Sequence, residues 1–320
     1  LNQESVANWY DLQKSLNLSI KWRGSIEWFE SAERQLKLVD QIEEQKKWGE
    51  PAEMIGPKEL EVLEPQMDFS STKLAAFSPR DGAIDPVAAT NALLKAAIDL
   101  GAEVKYPCRL TDVLMKGGRL QSIKTTLSII EADKLVIATG ASPNAGQEFA
   151  GINIPQRTTP GIITITKPFS PILNRVISAP GIHMHQRSNG RIVIGEQEGP
   201  PKNTVHKIRL KGRPNQYPNE YIAHEHAARM IANAGTFLPA ISGVEVDDVY
   251  IGWRPLPLDG HPVIGAAPER PDVYMAIMHS GVTLAPIVGQ LATYELISGD
   301  KIEKLNAYRP DRAFKNGNRY

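Results

Sequence analysis

Cysteine is nearly absent. Cys108 is the one thiol in 320 residues, so no disulfide can form within the chain and secretion into an oxidising compartment gains no support. A surplus of charge of one sign is absent too. Lys plus Arg and Asp plus Glu each total 36, and no basic tract occurs, which argues against nucleic acid as the main partner. No hydrophobic run suits a bilayer: the most apolar late stretch, residues 282–297, is interrupted by Thr283, Pro286, Gln290 and Glu295 and reads as a buried helix. The first residues show no charged-then-apolar leader, so no signal peptide is expected and a cytoplasmic compartment is the default. Internal repeats and low-complexity segments are missing. What is present is a hydrophobic share of 42%, over a length sufficient for one large domain or two ordinary ones with ample core.

Periodicity places the elements. Val6, Trp9, Tyr10, Leu12 and Leu16 recur at helical spacing over residues 1–16. Residues 20–29 read as a strand pair about Arg23-Gly24, and residues 31–48 as an amphipathic helix with Ser31 as N-cap. Another helix starts after Gly56-Pro57, and residues 87–100 form a third, capped by Asp85 and ended by Gly101. A short strand is expected at 102–106 and a small meander at 110–113 and 120–126. The apolar run 134–140 reads as a strand covered on both faces, as a parallel sheet requires. Antiparallel strands follow at 162–166, 181–186 and 191–195, the last two joined through Ser188-Asn189-Gly190. Then come a polar loop over 200–218, a helix over 220–234, a strand over 246–253 and a closing helix over 285–298.

Two stretches bear the chemistry. In Gly252-Trp253-Arg254-Pro255-Leu256-Pro257-Leu258-Asp259-Gly260-His261-Pro262-Val263-Ile264-Gly265, one arginine sits in a frame of prolines and glycines, which suits a rigid anion anchor. In His279-Ser280-Gly281-Val282-Thr283-Leu284-Ala285-Pro286, small residues open an apolar helix whose backbone N–H groups can seat an electron-rich cofactor edge.

With Gly24-Ser25-Ile26, Gly82-Ala83-Ile84-Asp85-Pro86, the strand-to-glycine run 133–140 and the tail 308–314, these motifs resemble the FAD-dependent amino acid and amine oxidoreductases of the D-amino-acid oxidase type, with glycine oxidase, sarcosine oxidase and D-amino-acid dehydrogenase as its nearest branches. The resemblance covers nearly the whole chain. It implies an α/β fold of mixed α+β character: an FAD/NAD(P)-binding doubly wound domain (1–19, 77–160 and 263–320) interleaved with a mostly antiparallel substrate domain (20–76 and 161–262). Such proteins begin with a strand, a G-x-G-x-x-G turn and a helix that seats the pyrophosphate. No G-x-G-x-x-G occurs here. The first β-α-β unit is therefore expected to be lacking through N-terminal truncation, with a separate chain supplying it as the alternative.

The resemblance also assigns roles. Arg254 would pair with the substrate carboxylate, a structural pair with Asp247 or Asp248 being the bland alternative. His279 stands where glycine oxidase carries an arginine, and could contact substrate or fill the mouth of the site. His183 matches a tyrosine that bonds the substrate carboxylate, and strand alternation puts it on one face with His185, opposite Met184. A metal is not expected, because two histidines at i and i+2 have no third ligand nearby at a characteristic spacing. His224-Glu225-His226 reads as solvated surface. Met278, His279, Ser280, Gly281, Val282 and Thr283 would face the flavin, Ala138, Thr139 and Gly140 would allow its close approach, and the backbone of Leu110 would meet the adenine. Cys108 reads as an inert thiol, so the FAD would be non-covalent. The implied activity is oxidation of an amino acid or secondary amine at its Cα–N bond, with hydride passing to flavin N5 and the imine hydrolysing. The alternative is a fragment or subunit that binds no FAD alone. The expected partner is a small amino acid or amine, with no transmembrane segment, and a homo-oligomer is compatible.

Overall fold

The structure, a computed structural model, describes residues 1–142, 144–157, 160–196 and 220–315, with 220–222 as backbone only. The polar loop expected over 200–218 lies outside the described residues. In chain order the elements are α1 (Asn2–Ser15), β1 (Ile20–Lys21), β2 (Ser25–Glu27), α2 (Ala32–Lys47), β3 (Glu53–Ile55), α3 (Pro57–Leu63), β4 (Ala75–Ser78), β5 (Ala83–Ile84) and α4 (Pro86–Asp99). Next are β6 (Leu110–Lys116), β7 (Arg119–Thr125), β8 (Ile129–Glu131), β9 (Leu135–Ile137), β10 (Gln156–Arg157), β11 (Pro160–Thr166), β12 (Val176–Ala179), β13 (Ile182–Gln186) and β14 (Ile192–Glu196). The chain closes with α5 (Glu220–Gly235), β15 (Val246–Trp253), β16 (Leu256–Pro257), β17 (Val263–Ala267), β18 (Arg270–Ile277) and α6 (Gly281–Ser298). The fold is mixed α/β and divides into two compact units.

One unit comprises Ser19–Ala89 and Pro160–Trp253. Its sheet has eight strands in the order β15-β11-β14-β13-β12-β2-β4-β3, antiparallel throughout except for the parallel pair β12–β2. Alternation sends Ile182, Met184, Ile192 and Ile194 into a core completed by Met230 of α5 and Leu60 of α3. A buried amide organises the loop beside this core. Gln186 donates to the carbonyls of Phe169, Ser170 and Gly190 and accepts from the N–H groups of Ile172 and Leu173, so both ends of its side chain are satisfied. Ser31 caps α2 through the Arg34 N–H, and Asp85 caps α4 through those of Val87 and Ala88.

The strand pair expected about Arg23-Gly24 does not form. β1 pairs with β5, whereas β2 enters the large sheet between β12 and β4. Gly24 explains the divergence: its φ is +85°, its N–H donates to Asp81 O, and a Cβ there would fall 2.8 Å from the Phe77 ring.

The other unit comprises Leu1–Leu18, Thr90–Thr159 and Arg254–Tyr320, with three small sheets: β17-β18-β9, β6-β7-β8 and β10-β16. β18, absent from the sequence reading along with β17 and β8, is the strand buried on both faces. Val273, Met275 and Ile277 join one core with Phe149 and Ile154, while Tyr274 joins another with Leu284, Ile287 and Val288 of α6. The run 134–140 is corrected accordingly. β9 does pair in parallel, with β18, but among the described residues it has no other partner and Val136 is 44% exposed, so it is not covered on both faces. The strand expected at 102–106 is likewise not formed, since these exposed residues have no ladder partner among the described residues. The closing helix begins at Gly281 rather than at residue 285.

A buried ionic network ties α6 to the tail. Arg309 forks onto Glu295 at 2.8 and 2.7 Å, Tyr274 donates its hydroxyl to the same carboxylate at 2.7 Å, and the Ile302 N–H adds a fourth bond at 2.6 Å. Burial raises the Glu295 pKa, but these donors outweigh it and hold the carboxyl below its ordinary value. Its stabilising contribution is therefore complete above the ordinary carboxylate value and is lost as pH falls through the lowered one. Arg309→Met should reduce unfolding free energy by about 3–5 kcal/mol at pH 7, as expected for breaking a buried pair. The deficit should narrow on acidification. Urea unfolding at pH 7 and pH 4 measures both, and a deficit independent of pH would refute the assignment.

Candidate active site

The Arg254 loop is rigid because it is pinned from two sides. β16 pairs with β10, Leu258 N–H donates to Pro155 O at 2.8 Å, and Arg157 donates to Leu258 O at 3.1 Å. From the tail, Arg312 forks onto Asp259 at 2.8 and 3.0 Å and also reaches His261 O at 3.1 Å. Burial raises the Asp259 pKa, but Arg312 and the His261 N–H pull it below the ordinary value. Asp259 is thus the ionised partner of Arg312, a role the motif alone did not reveal. Asp247, weighed above as a partner for Arg254, is ion-paired with Arg191.

The Arg254 guanidinium and His279 share one neighbourhood within this unit. Burial first, and then the Arg254 charge, hold the His279 imidazole below its ordinary value of 6.5. At neutral pH the pair is therefore one cation beside one neutral ring, which keeps a donor and an acceptor. His279 and Ser280 lead directly into α6. The Ser280 hydroxyl makes no cap bond and no acidic side chain stands in the first turn. The N–H groups of Gly281, Val282 and Thr283 therefore form a helix N-terminus with no side-chain cap, backed by the helix dipole. Val282 is 46% exposed, and Met278, at the end of β18, is half-buried.

In the same unit, Ala138 and Thr139 lie exposed just after β9, and Gly140 turns the chain away. Leu110 opens β6 and packs against the core that contains Ile137. Cys108 is half-buried.

His183 belongs to the eight-stranded unit. It shares the less buried face of β13 with His185, while Met184 is fully buried opposite. Its seat is made by Gly195, its partner across the ladder: a Cβ on Gly195 would lie 2.1 Å from His183 Nε2. Sequence reasoning missed Gly195, although a glycine inside a strand signals such a close approach. His185 is held near neutrality of charge, its pKa lowered to about 4 by burial first and then by Arg187, His183 and Lys21. The reading of 224–226 as solvated surface is corrected in part. His224 is exposed, but His226 is buried and accepts a 3.0 Å hydrogen bond from Arg229, which also pairs with Glu196. Residues two apart on a helix point in different directions, so one can be wet and the other dry. Among the described residues, no group of three His, Cys, Asp or Glu side chains gathers as a metal would need, and no helix is long and apolar enough to cross a membrane.

Comparison with known proteins gives this geometry a context. A family model described as FAD dependent oxidoreductase (DAO) matches residues 1–295. The chain is 28% identical over 243 residues to a glycine oxidase of Bacillus subtilis, an alignment covering 74% of this chain and 61% of that protein. It is 31% identical over 144 residues to the anaerobic glycerol-3-phosphate dehydrogenase subunit A1 of Haloferax volcanii, covering 40% of this chain and 24% of that one. The chain thus spans under two thirds of these relatives. The solved L-proline dehydrogenase of P. horikoshii superimposes with a TM-score of 0.84 at 23% identity, covering 97% of this chain and 81% of the other, a likeness of fold.

Two titrations test the site. Arg254→Gln should raise the His279 pKa toward 6.5 without reaching it, because burial remains. Imidazole NMR reads the change, and an unmoved titration would separate the two residues. For His185 the folded pKa lies below the unfolded one, so the stability that depends on its neutral ring is complete above about 6.5 and fades toward about 4. Between pH 6.5 and 4.5, His185→Asn should lose about 2 kcal/mol less stability than the wild type. Equal losses in urea titrations would contradict the assignment.

Proposed function

This chain belongs to the FAD dependent oxidoreductase family (DAO), and from that premise we propose that it oxidises the Cα–N bond of an amino acid or secondary amine, with non-covalently bound FAD. One observation carries the reading: the Arg254 charge acts on the His279 imidazole, and His279 leads into the uncapped first turn of α6, all within one compact unit. The similarity to a glycine oxidase supports a carboxylate-bearing amine as substrate.

The residues present fit the isoalloxazine end of FAD. The first turn of α6 presents N–H donors with no side-chain cap and no acidic neighbour, and a Cβ on Gly281 would meet nothing nearer than Met278 Cγ at 4.0 Å. FAD, when bound, supplies the acceptor for the hydride that leaves the substrate. Arg254 grips the carboxylate with its planar fork and so fixes where Cα–H points. With FAD bound, the N–H groups of Gly281, Val282 and Thr283 would stabilise negative charge at the cofactor edge. His279, being neutral, can hydrogen-bond near Arg254 without adding a second cation. His183 is assigned a polar role toward the substrate, while Ala138, Thr139, Gly140 and Leu110 are assigned to the nucleotide side of the cofactor. Residues 1–320 hold no G-x-G-x-x-G turn, so the groups named here account for the carboxylate and the flavin edge and not for the pyrophosphate.

The purified chain should carry FAD, visible in its absorbance, and turn over members of a panel of D-amino acids, proline derivatives and N-methylglycines. A folded, colourless protein that takes up no added FAD would count against the proposed function. Arg254→Gln should lower kcat/KM by about tenfold to a hundredfold, mainly through KM, as expected for a lost charge-assisted bond. A variant with wild-type kcat/KM would remove Arg254 from the site.

A further inference from the structure

The first turn of α6 has a defect that another helix repairs. Pro286 lies inside α6, and the carbonyl four residues before it is that of Val282. Proline has no N–H to donate to that carbonyl, and its ring crowds it. The missing donor comes from α1: Trp9 Nε1–H donates to Val282 O at 3.1 Å. Four residues earlier on α1, the Ser5 hydroxyl donates to the next carbonyl, Thr283 O, at 2.5 Å. Asn8 completes the pattern by donating to Gln290 Oε1 at 3.0 Å. Positions 5, 8 and 9 are spaced i, i+3 and i+4, so they form one face of α1. Ser5 is fully buried and Trp9 is 5% exposed, hence their two bonds are partly shielded from competing water, whereas the Asn8 bond is exposed.

We propose that Trp9 and Ser5 are positioning residues: they supply the hydrogen bonds that Pro286 removes or weakens, and so fix the first turn of α6, whose N–H groups are aimed at the cofactor edge. The part concerning the cofactor rests on the assignment of α6 to the flavin. A helix end is weakly held by its own bonds, since few of its residues are closed by a full set of i to i−4 contacts. Here the turn opens with Gly281, contains a Val282 carbonyl without its helical donor, and leaves Val282 46% exposed. Without α1 it would fray, and its donors would lose their common direction.

Trp9→Phe removes the N–H while retaining an aromatic ring. In this variant the amides of Leu284, Ala285 and Ile287 should exchange with solvent deuterium about threefold to tenfold faster, the effect of one lost hydrogen bond. In the flavin-loaded protein, sulfite, which adds at flavin N5 and leaves negative charge at the N1–C2=O edge, should bind about threefold to tenfold more weakly. Pro286→Ala gives residue 286 an N–H and lets α6 satisfy Val282 O itself. Combined with Trp9→Phe, it should restore both readouts to within about twofold of Pro286→Ala alone. A Trp9 that acts only by packing would not be rescued in this way. Unchanged exchange in Trp9→Phe overturns the proposal, as does failure of Pro286→Ala to rescue. Faster exchange with unchanged sulfite affinity overturns its cofactor half. If the wild-type chain takes up no flavin, the function proposed above fails, while the exchange measurements still decide whether Trp9 holds the turn.

Discussion

Two arginines three residues apart in the tail hold the parts of the candidate site. Arg309 forks onto Glu295 near the end of α6, and Arg312 forks onto Asp259 in the loop that begins at Arg254. Each acceptor is buried or nearly so, with 6% and 11% of the side chain exposed. Each is also met by further donors: Tyr274 and Ile302 for Glu295, and the His261 N–H for Asp259. A buried carboxylate is tolerable only when its lone pairs are occupied in this manner, and then it fixes its surroundings in direction as well as distance. The tail thus acts as a strap with two buckles, one on the helix and one on the arginine loop.

The eight-stranded unit uses neutral groups for the same end. Gln186 holds five backbone groups with one amide, and Gly195 makes room for the His183 ring across the ladder. Both devices lie beside a core that is mainly aliphatic, with Trp28 meeting Phe69 and Phe237 edge-on within it. Because they carry no charge, they fix the loop and the imidazole without the desolvation cost of a buried ion.

How much of this was legible in the sequence depends on how local each feature is. Caps at Ser31 and Asp85 are decided within three residues, and both were readable. The frame around Arg254 was readable too, since prolines and glycines constrain the backbone they occupy. Partners were not. Nothing local says that β1 pairs with β5 instead of β2, or that Arg312 reaches back to Asp259. The apolar runs at 134–140 and 273–277 look alike as strings, yet the second is buried on both faces and the first sits at an edge. Burial of a strand is set by what flanks it, and neighbours distant in sequence cannot be inferred from its own composition. Pro286 was visible, but its consequence depended on Trp9, 277 positions away in the chain.

The charge arrangement suggests why His279 is a histidine. Arg254 supplies a full positive charge, and the N-terminus of α6 adds about half a charge more. An arginine at this position would add a second full cation to that potential. A ring held neutral by burial and by its cationic neighbour does not. Under the proposed function this leaves two distinct electrostatic features: a fixed cation for a permanent carboxylate, and a weaker dipole for charge that exists only during turnover. In the proposed reaction that difference matters. A donor that stabilises developing charge accelerates the step only to the extent that it binds the reduced cofactor edge more strongly than the oxidised one. A dipole whose direction is fixed in advance by α1 meets that requirement with little reorganisation.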